Sequence, residues 1–279
     1  MSSLSPEQRD LVLATAHQIR LDALEMVHAA GCGHPGGPLG MAEMLAVLYR
    51  TQMRFDPAQP DEMGRDRFVL SNGHTCAGLY SILSQVGFFD RTMLRSFRKL
   101  GSPLQGHPHR GSLPGVDMST GSLGTGLSAA AGMALAAKLD GLDLRVYAST
   151  SDGENQEGQP WEMATSAVHY GLDNLCLMLD WNGIQIDGNT SDVMDTGNLR
   201  AKWESFGWHA LEVDGHSVDA LFGAFEEAKA ENGRPSILCC RTSIGKGVSF
   251  MEDTSAFHGC APDDEQYETA LAELTAAAP

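Results

Sequence analysis

The chain predicts an α/β fold: a mostly parallel sheet with helices on both faces. Three observations predict it. Short apolar runs alternate along the chain with longer segments whose apolar residues recur at helical spacing. Several of the runs end in polar, glycine-containing turns, the place where open α/β sheets bind ligands. A chain of this length can bury one large core or two smaller ones; with no repeat, no low-complexity block apart from a short Ala-rich C-terminus, and no linker-like stretch dividing residues 1–279, one domain is expected.

The elements follow in order. Ser5-Pro6-Glu7 reads as a helix start, with Ser5 as N-cap and Pro6 in the first turn. Leu11, Ala14, Ile19, Leu21, Leu24 and Val27 carry that helix to near Gly31. A rigid glycine-rich loop is expected over 31–40 (GCGHPGGPLG), then a helix over 41–49. Residues 67–70 read as a strand ending in Ser71-Asn72-Gly73-His74, followed by a helix from about 77 to 85. Residues 100–121 are too rich in Gly and Pro for regular structure. The turn Gly121-Ser122-Leu123-Gly124-Thr125-Gly126 leads into a small-residue helix over 127–139. Residues 144–150 and 175–179 read as strands flanking a helix over 161–170, and such a crossover makes its strands parallel. Strands over 210–213 and 236–241 flank a helix over 218–230, closed by Asn232-Gly233.

Composition excludes whole classes of partner. Nineteen basic against 36 acidic residues leave a net charge of −17, which argues against a nucleic-acid or anionic-membrane surface. A local anion site remains compatible with that charge, because helix N-termini, histidines or a metal can supply it. The six cysteines contain no metal-type C-x-x-C pair, and Cys176, Cys239 and Cys240 fall inside expected strands. They read as small buried residues in a reducing compartment. The polar start MSSLSPEQRD is unlike a signal peptide, and no run of about 18 apolar residues is present. A cytoplasmic protein is expected.

The chemistry concentrates at the strand ends. Asp152-Gly153-Glu154 follows one strand of the crossover and Asn182 the other, so both lie at one carboxyl edge of the sheet. A carboxylate and an amide oxygen are hard ligands suited to magnesium or calcium. Two such ligands leave most of the shell to waters and phosphates, which suggests a metal that clamps a diphosphate; taken alone, the pair reads more readily as two loop-capping polar residues. Four histidines stand in glycine-rich loops: His34 in GHPGGPLG, His74 in SNGHT, His107 in GHPHR and His258 in FHG. Any one of them alone reads as a turn or surface histidine, but four such loops point to a site: imidazole donates to phosphate or sugar hydroxyls and moves protons near neutral pH, while flanking glycines let the backbone approach a ligand. His17, His28, His169 and His209 lie in expected helices or at a strand edge and read as structural or surface residues; His216 is open between the two.

The ordered set GHPGGPLG, SNGH, QGHP, GSLGTGLS, SDGENQEGQPWE, DWNGIQIDG, TSIGKG and FHG, running from Gly33 to Gly259, resembles the N-terminal half of transketolase. The resemblance implies the thiamine-diphosphate-binding fold, specifically its pyrophosphate-binding domain. It implies a metal held by Asp152, Asn182 and the Ile184 backbone carbonyl, with Gly153 offering its backbone to the diphosphate. His74 and His258 would lie near the diphosphate and the substrate, and His34 and His107 would contact the sugar near the reacting carbons. Gly121 and Leu123 would touch the cofactor rings. Glu157 would join a carboxylate network at an interface, and Glu154 receives no role. Ser151 stands where the family's GDG opens with glycine; its Cβ is harmless unless the backbone needs a positive φ.

The resemblance further implies ketol transfer between sugar phosphates, with thiamine diphosphate and magnesium or calcium as cofactors. The pyrimidine-binding domain of the family, with its activating glutamate, has no counterpart here. A partner is therefore expected: a C-terminal transketolase subunit, with this chain a homodimer alone and a heterotetramer when assembled. Competing readings are a ketol transferase for an apiose-derived or sulfonated sugar, a non-catalytic cofactor-binding regulatory subunit, and a decarboxylating or dehydrogenase relative. The density of histidines favours sugar hydroxyls over a keto acid.

Overall fold

The computed structural model describes residues 3–279. The first helix, α1 (Pro6–Ala30), starts in a capping box: the Ser5 hydroxyl accepts the Gln8 N–H at 3.2 Å, and the Gln8 side chain accepts the Ser5 N–H at 3.0 Å. It ends at Gly31, left-handed at φ 63°.

The expected loop over 31–40 is only half a loop. Gly36–Gly40 closes into a short helix, α2, and α3 (Ala42–Val47) follows, finishing in a π-helical turn, Leu48–Gln52. The glycines of α2 are there for close approach. A Cβ on Gly37 would stand 2.5 Å from Thr75, and one on Gly40 would stand 2.8 Å from the Ser243 carbonyl.

Strand β1 (Arg67–Leu70) leads to α4 (Cys76–Gln85), and residues 100–121 then run without helix or named strand to α5 (Thr125–Leu139). Next come β2 (Val146–Ser151), α6 (Gln159–His169) and β3 (Leu175–Trp181). Among the elements that carry no expectation from the pattern, four are short: the two-residue hairpin strands β4 (Ile184–Gln185) and β5 (Gly188–Asn189), and the helices α7 (Thr190–Met194) and α8 (Leu199–Ser205). Each is too short to show a period. Then follow β6 (His209–Asp214), α9 (Val218–Ala230) and β7 (Ser236–Arg241). The Ala-rich C-terminus is a helix, α10 (Asp264–Ala276), opened by a second capping box of Asp263 and Gln266.

The five long strands pair in the order β1-β2-β3-β7-β6, every neighbour parallel. Strand alternation divides the core. Leu175, Leu177 and Leu179 of β3, with Ile237 and Cys239 of β7, pack beneath α5, α6 and α8. Cys176, Met178, Leu238 and Cys240 pack on the opposite face with α1, α3, α4 and α9. A smaller cluster joins Ala270 and Leu274 of α10 to Leu24 of α1, Leu39 and Met251. All six cysteines are free; Cys32 and Cys260 are exposed and the others buried. Among the described residues no helix is long and apolar enough to cross a membrane.

Candidate active site

A cavity of about 370 Å³ opens at the carboxyl ends of β1, β2, β3 and β7. Parallel strands deliver it: each emerges from the core, and its next residues are polar and face the same edge. The first strand is followed by Asn72 and His74, the second by Asp152 to Glu154, the third by Asn182, and the fourth by Ile244.

At the floor and just beneath it lie two buried carboxylates, Asp180 and Asp152. Asp152 accepts the Gly153 N–H at 2.9 Å and the Gly183 N–H at 2.5 Å. Burial, reinforced by the neighbouring Asp180, pushes its carboxyl up to about 7. Burial pushes Asp180 up to about 6, against the Thr242 hydroxyl and the Asn182 amide, which both donate to it. The Asn182 Nδ2 donates to Asp180 at 3.0 Å while its Oδ1 accepts the Ile184 N–H at 2.9 Å. The amide is thereby fixed in one orientation, with its oxygen on the side of the hairpin backbone. Among the described residues no group of three or more His, Cys, Asp or Glu side chains forms a metal cage. The oxygen set Asp152, Asn182 and the Ile184 carbonyl instead fits a hard cation whose shell is completed from outside the protein. A cation would also relieve the two raised carboxyls. Ser151 ends β2 without a positive φ, and its hydroxyl accepts the Glu154 N–H at 3.2 Å, so the serine fits the turn.

The four loop histidines meet above this floor. Ring centroids lie 5.1 Å apart for His34–His74, 5.8 Å for His34–His258, 6.4 Å for His34–His107 and 5.1 Å for His74–His258. Burial first, then the rings of its neighbours, lowers His74 to about 3. Burial, His258, Arg98 and His107 lower His34 to about 4. His107 is lowered by burial and Arg98, and His258 by burial. The cluster is therefore neutral at pH 7, each ring offering one N–H and one lone pair. The Nδ1 atoms of His34 and His258 are buried without a hydrogen-bond partner, which suits a polyhydroxylated ligand.

The structure also places the remaining residues. Gly121, Leu123, Gly153, Asn182 and Ile184 line the cavity; Asp152 lies just below it, and Glu157 is exposed at its rim. His216 is structural: its Nδ1 meets Glu43 at 3.2 Å and its Nε2 accepts the Ser243 N–H at 2.9 Å. His209 sits between Glu227 and Glu231, outside the cavity lining. Sequence reasoning missed Asp180, Gln156, Gln185, Ile186 and Asp187, all of which line the cavity. Only Asp180 carried a signal, its position two residues before Asn182 at the end of a buried strand.

Comparison with known proteins bears on this arrangement. The family described as transketolase, thiamine diphosphate binding domain, matches residues 12–275. The chain is 42% identical over 271 residues to the 6-deoxy-6-sulfo-D-fructose transketolase subunit SqwG of a Clostridium species, covering 97% of this chain and 98% of that protein. It is 40% identical over 252 residues to one of the subunits of the apulose-4-phosphate transketolase of Phocaeicola vulgatus, covering 90% and 89%. Against the chromosomal transketolase of Cupriavidus necator it is 40% identical over 282 residues, but these span 42% of that protein. The solved structure of transketolase from Leishmania mexicana superposes with a TM-score of 0.90 at 36% identity, covering 95% of this chain and 41% of that one.

Proposed function

The chain belongs to the transketolase family as its thiamine-diphosphate-binding domain, and on that premise we propose that it is the N-terminal subunit of a two-subunit transketolase. The reaction is transfer of a two-carbon ketol unit from a ketose phosphate to an aldose acceptor. The observation that carries the subunit reading is coverage. The chain matches 98% and 89% of two relatives described as subunits, and about two fifths of transketolases made as one chain.

Thiamine diphosphate, when bound, supplies the carbanion chemistry of two-carbon transfer. This chain's part is to seat it and to handle protons. Asp152, Asn182 and the Ile184 carbonyl would hold magnesium or calcium, and Gly153 presents backbone where a Cβ would stand 3.1 Å from Gln185. Because the histidines are neutral, balancing the charge of a diphosphate would fall mainly to such a metal. On this reading His74 and His258 would face the diphosphate, and Gly121 and Leu123, which line the cavity, would shape the wall for the cofactor rings. A Cβ on Gly121 would stand 3.7 Å from the His107 ring, so the wall and the histidine cluster are in contact. His34, His107 and His258 bind sugar hydroxyls and, through neutral imidazole, take or return a proton at a hydroxyl oxygen. Glu157, exposed at the rim, faces outward for a partner domain to complete. The other half of the cofactor site, and the acid-group pocket for the sugar, fall to a C-terminal subunit, with a homodimer of this chain as the core of a heterotetramer in the cytoplasm.

A narrower reading concerns the sugar. Two of the relatives matched along most of their length carry names that refer to 6-deoxy-6-sulfo-D-fructose and to apulose 4-phosphate, which favours a dedicated ketol transferase for an unusual sugar over a general one. The test is titration of the purified chain with a candidate C-terminal subunit, following two-carbon transfer from xylulose 5-phosphate, a sulfonated ketose and an apulose phosphate. Activity is expected only in the mixture, saturating at equal stoichiometry. Turnover by this chain alone, proportional to its own concentration, overturns the subunit reading.

A further inference from the structure

Glu154 is fully buried, at 0% exposure, on the floor of the cavity, and the chemistry above leaves it without a task. A carboxylate is among the side chains least often buried, and it is retained only where its oxygens are employed. Its Oε1 accepts two hydrogen bonds from two other elements: the Ser71 hydroxyl at 2.6 Å and the Gly124 backbone N–H at 2.7 Å. Its own backbone N–H is held by the Ser151 hydroxyl. One oxygen therefore joins three chain segments. Ser71 directly follows β1 and precedes the turn that carries His74. Gly124, at φ +85°, is the N-cap of α5 and closes the turn that brings Gly121 and Leu123 to the cavity. Glu154 itself stands two residues after Asp152.

Nothing else in the described residues supplies these groups. Gly124 lacks a side chain to cap its own helix, and α5 has no side-chain cap. The approach is also too close for substitution: a Cβ on Gly126 would stand 2.6 Å from the Ser71 hydroxyl, so the α5 start lies directly on the end of β1. Close packing of two turns leaves a buried hydroxyl and a buried amide between them, and a charged or strongly polar acceptor satisfies both. Among the described residues the second carboxyl oxygen, Oε2, meets no hydrogen-bond partner at full hydrogen-bond geometry, so the link between segments rests on Oε1.

We infer that Glu154 is a positioning residue, whose Oε1 locks the Gly121–Gly124 turn and the His74 turn to the Asp152–Gly153 turn and so sets the seat of the cofactor. This rests on the reading of the site as one for thiamine diphosphate. It assigns Glu154 no contact with substrate.

Two measurements test it. The first is hydrogen–deuterium exchange on the chain by itself, in peptides spanning 118–128, with α10 peptides as the distant control. Glu154→Ala leaves the Gly124 N–H without an acceptor, and exchange there should accelerate by about tenfold or more while the control is unchanged. Glu154→Gln keeps an Oε1 acceptor and should stay within about threefold of the natural chain. The second is calorimetry of thiamine diphosphate with magnesium on the chain assembled with its partner subunit. Glu154→Ala should weaken the cofactor Kd by about tenfold or more, with the sugar KM at saturating cofactor within about twofold. Ser71→Ala should weaken it less, and the double variant Ser71→Ala with Glu154→Ala no more than Glu154→Ala alone. If Glu154→Ala fails to fold, Glu154→Asp, one methylene short of spanning Ser71 and Gly124, is read in both assays with the same expectation. Unchanged exchange at 118–128, or an unchanged cofactor Kd with the loss confined to turnover, overturns the inference. Failure of the natural complex to bind thiamine diphosphate refutes the cofactor reading instead, and exchange then decides the lock on its own.

Discussion

Burial and the surrounding rings of His258 and His107, with Arg98, keep the His34 imidazole neutral far below its ordinary range. An imidazole titration followed by NMR should therefore show His34 flat from pH 8 to about 5, changing near 4, with His74 lower still, near 3. A His34 midpoint near 6.5 would mean that the ring is solvated and the cluster open. The sign for stability follows from linkage. A base whose folded value lies below its unfolded 6.5 contributes stability that is complete above pH 6.5 and is lost as pH falls toward 4. Asp152 and Asp180, raised to about 7 and about 6, act in the opposite sense over that window, so the NMR titration separates what a melting curve would blend. The same scale holds the proposed metal ligands. Asp180 pins the Asn182 amide, and Asp180→Asn puts a donor where an acceptor stood. Loss of such an orienting partner costs about 10- to 100-fold in metal affinity, to be read as the magnesium dependence of cofactor binding.

Elements carry the site through their ends. β1, β2, β3 and β7 stop at one edge because parallel pairing aligns their carboxyl ends, and the loops after them have little choice but to converge. Helix α10 matters for a different reason: Leu274, at 1% exposure, closes the small cluster against Leu24, Leu39, Val248 and Met251. Leu274→Ala should cost about 2–5 kcal/mol in urea unfolding, as buried large-to-small changes do. A cost below about 0.5 kcal/mol would show that α10 frays from α1 in solution. Val248 and Met251 belong to the segment that leads from Ile244 toward His258, so this cluster also steadies one wall of the cavity.

At the scale of the molecule, the hairpin and α7 leave an apolar patch beside the cavity: Ile186 at 61%, Met194 at 58% and Val193 at 43% exposure. Gln156 ties this patch to the site by donating to the Met194 carbonyl at 2.8 Å. Under the two-subunit reading it is a surface for assembly. The double variant Ile186→Asp with Met194→Asp should weaken association with the C-terminal subunit by about tenfold or more in analytical ultracentrifugation, with the circular dichroism of the chain unchanged. Full-strength assembly by that variant would move the interface elsewhere.

The alternation of apolar runs and helical periods was enough to place all five long strands within two residues at either end and to read the sheet as parallel, because buried strands and amphipathic helices leave their period in the chain. The glycine–histidine blocks and Asp152 with Asn182 were likewise legible, since each is a local cluster, the histidines in glycine-rich loops and the Asp152 and Asn182 turns at strand ends. What the pattern could not carry was whatever depends on two segments meeting. The helical closure of Gly36–Gly40 is set by the approach of Thr75 and Ser243, which lie far away in sequence. The hairpin at 184–189 is too short to have a period. The employment of Glu154 exists only because Ser71 and Gly124 arrive at the same oxygen, and the fixed amide of Asn182 only because Asp180 is buried beside it. Local chemistry chose the residue types; the packing of distant turns decided which of their atoms remain free to bind.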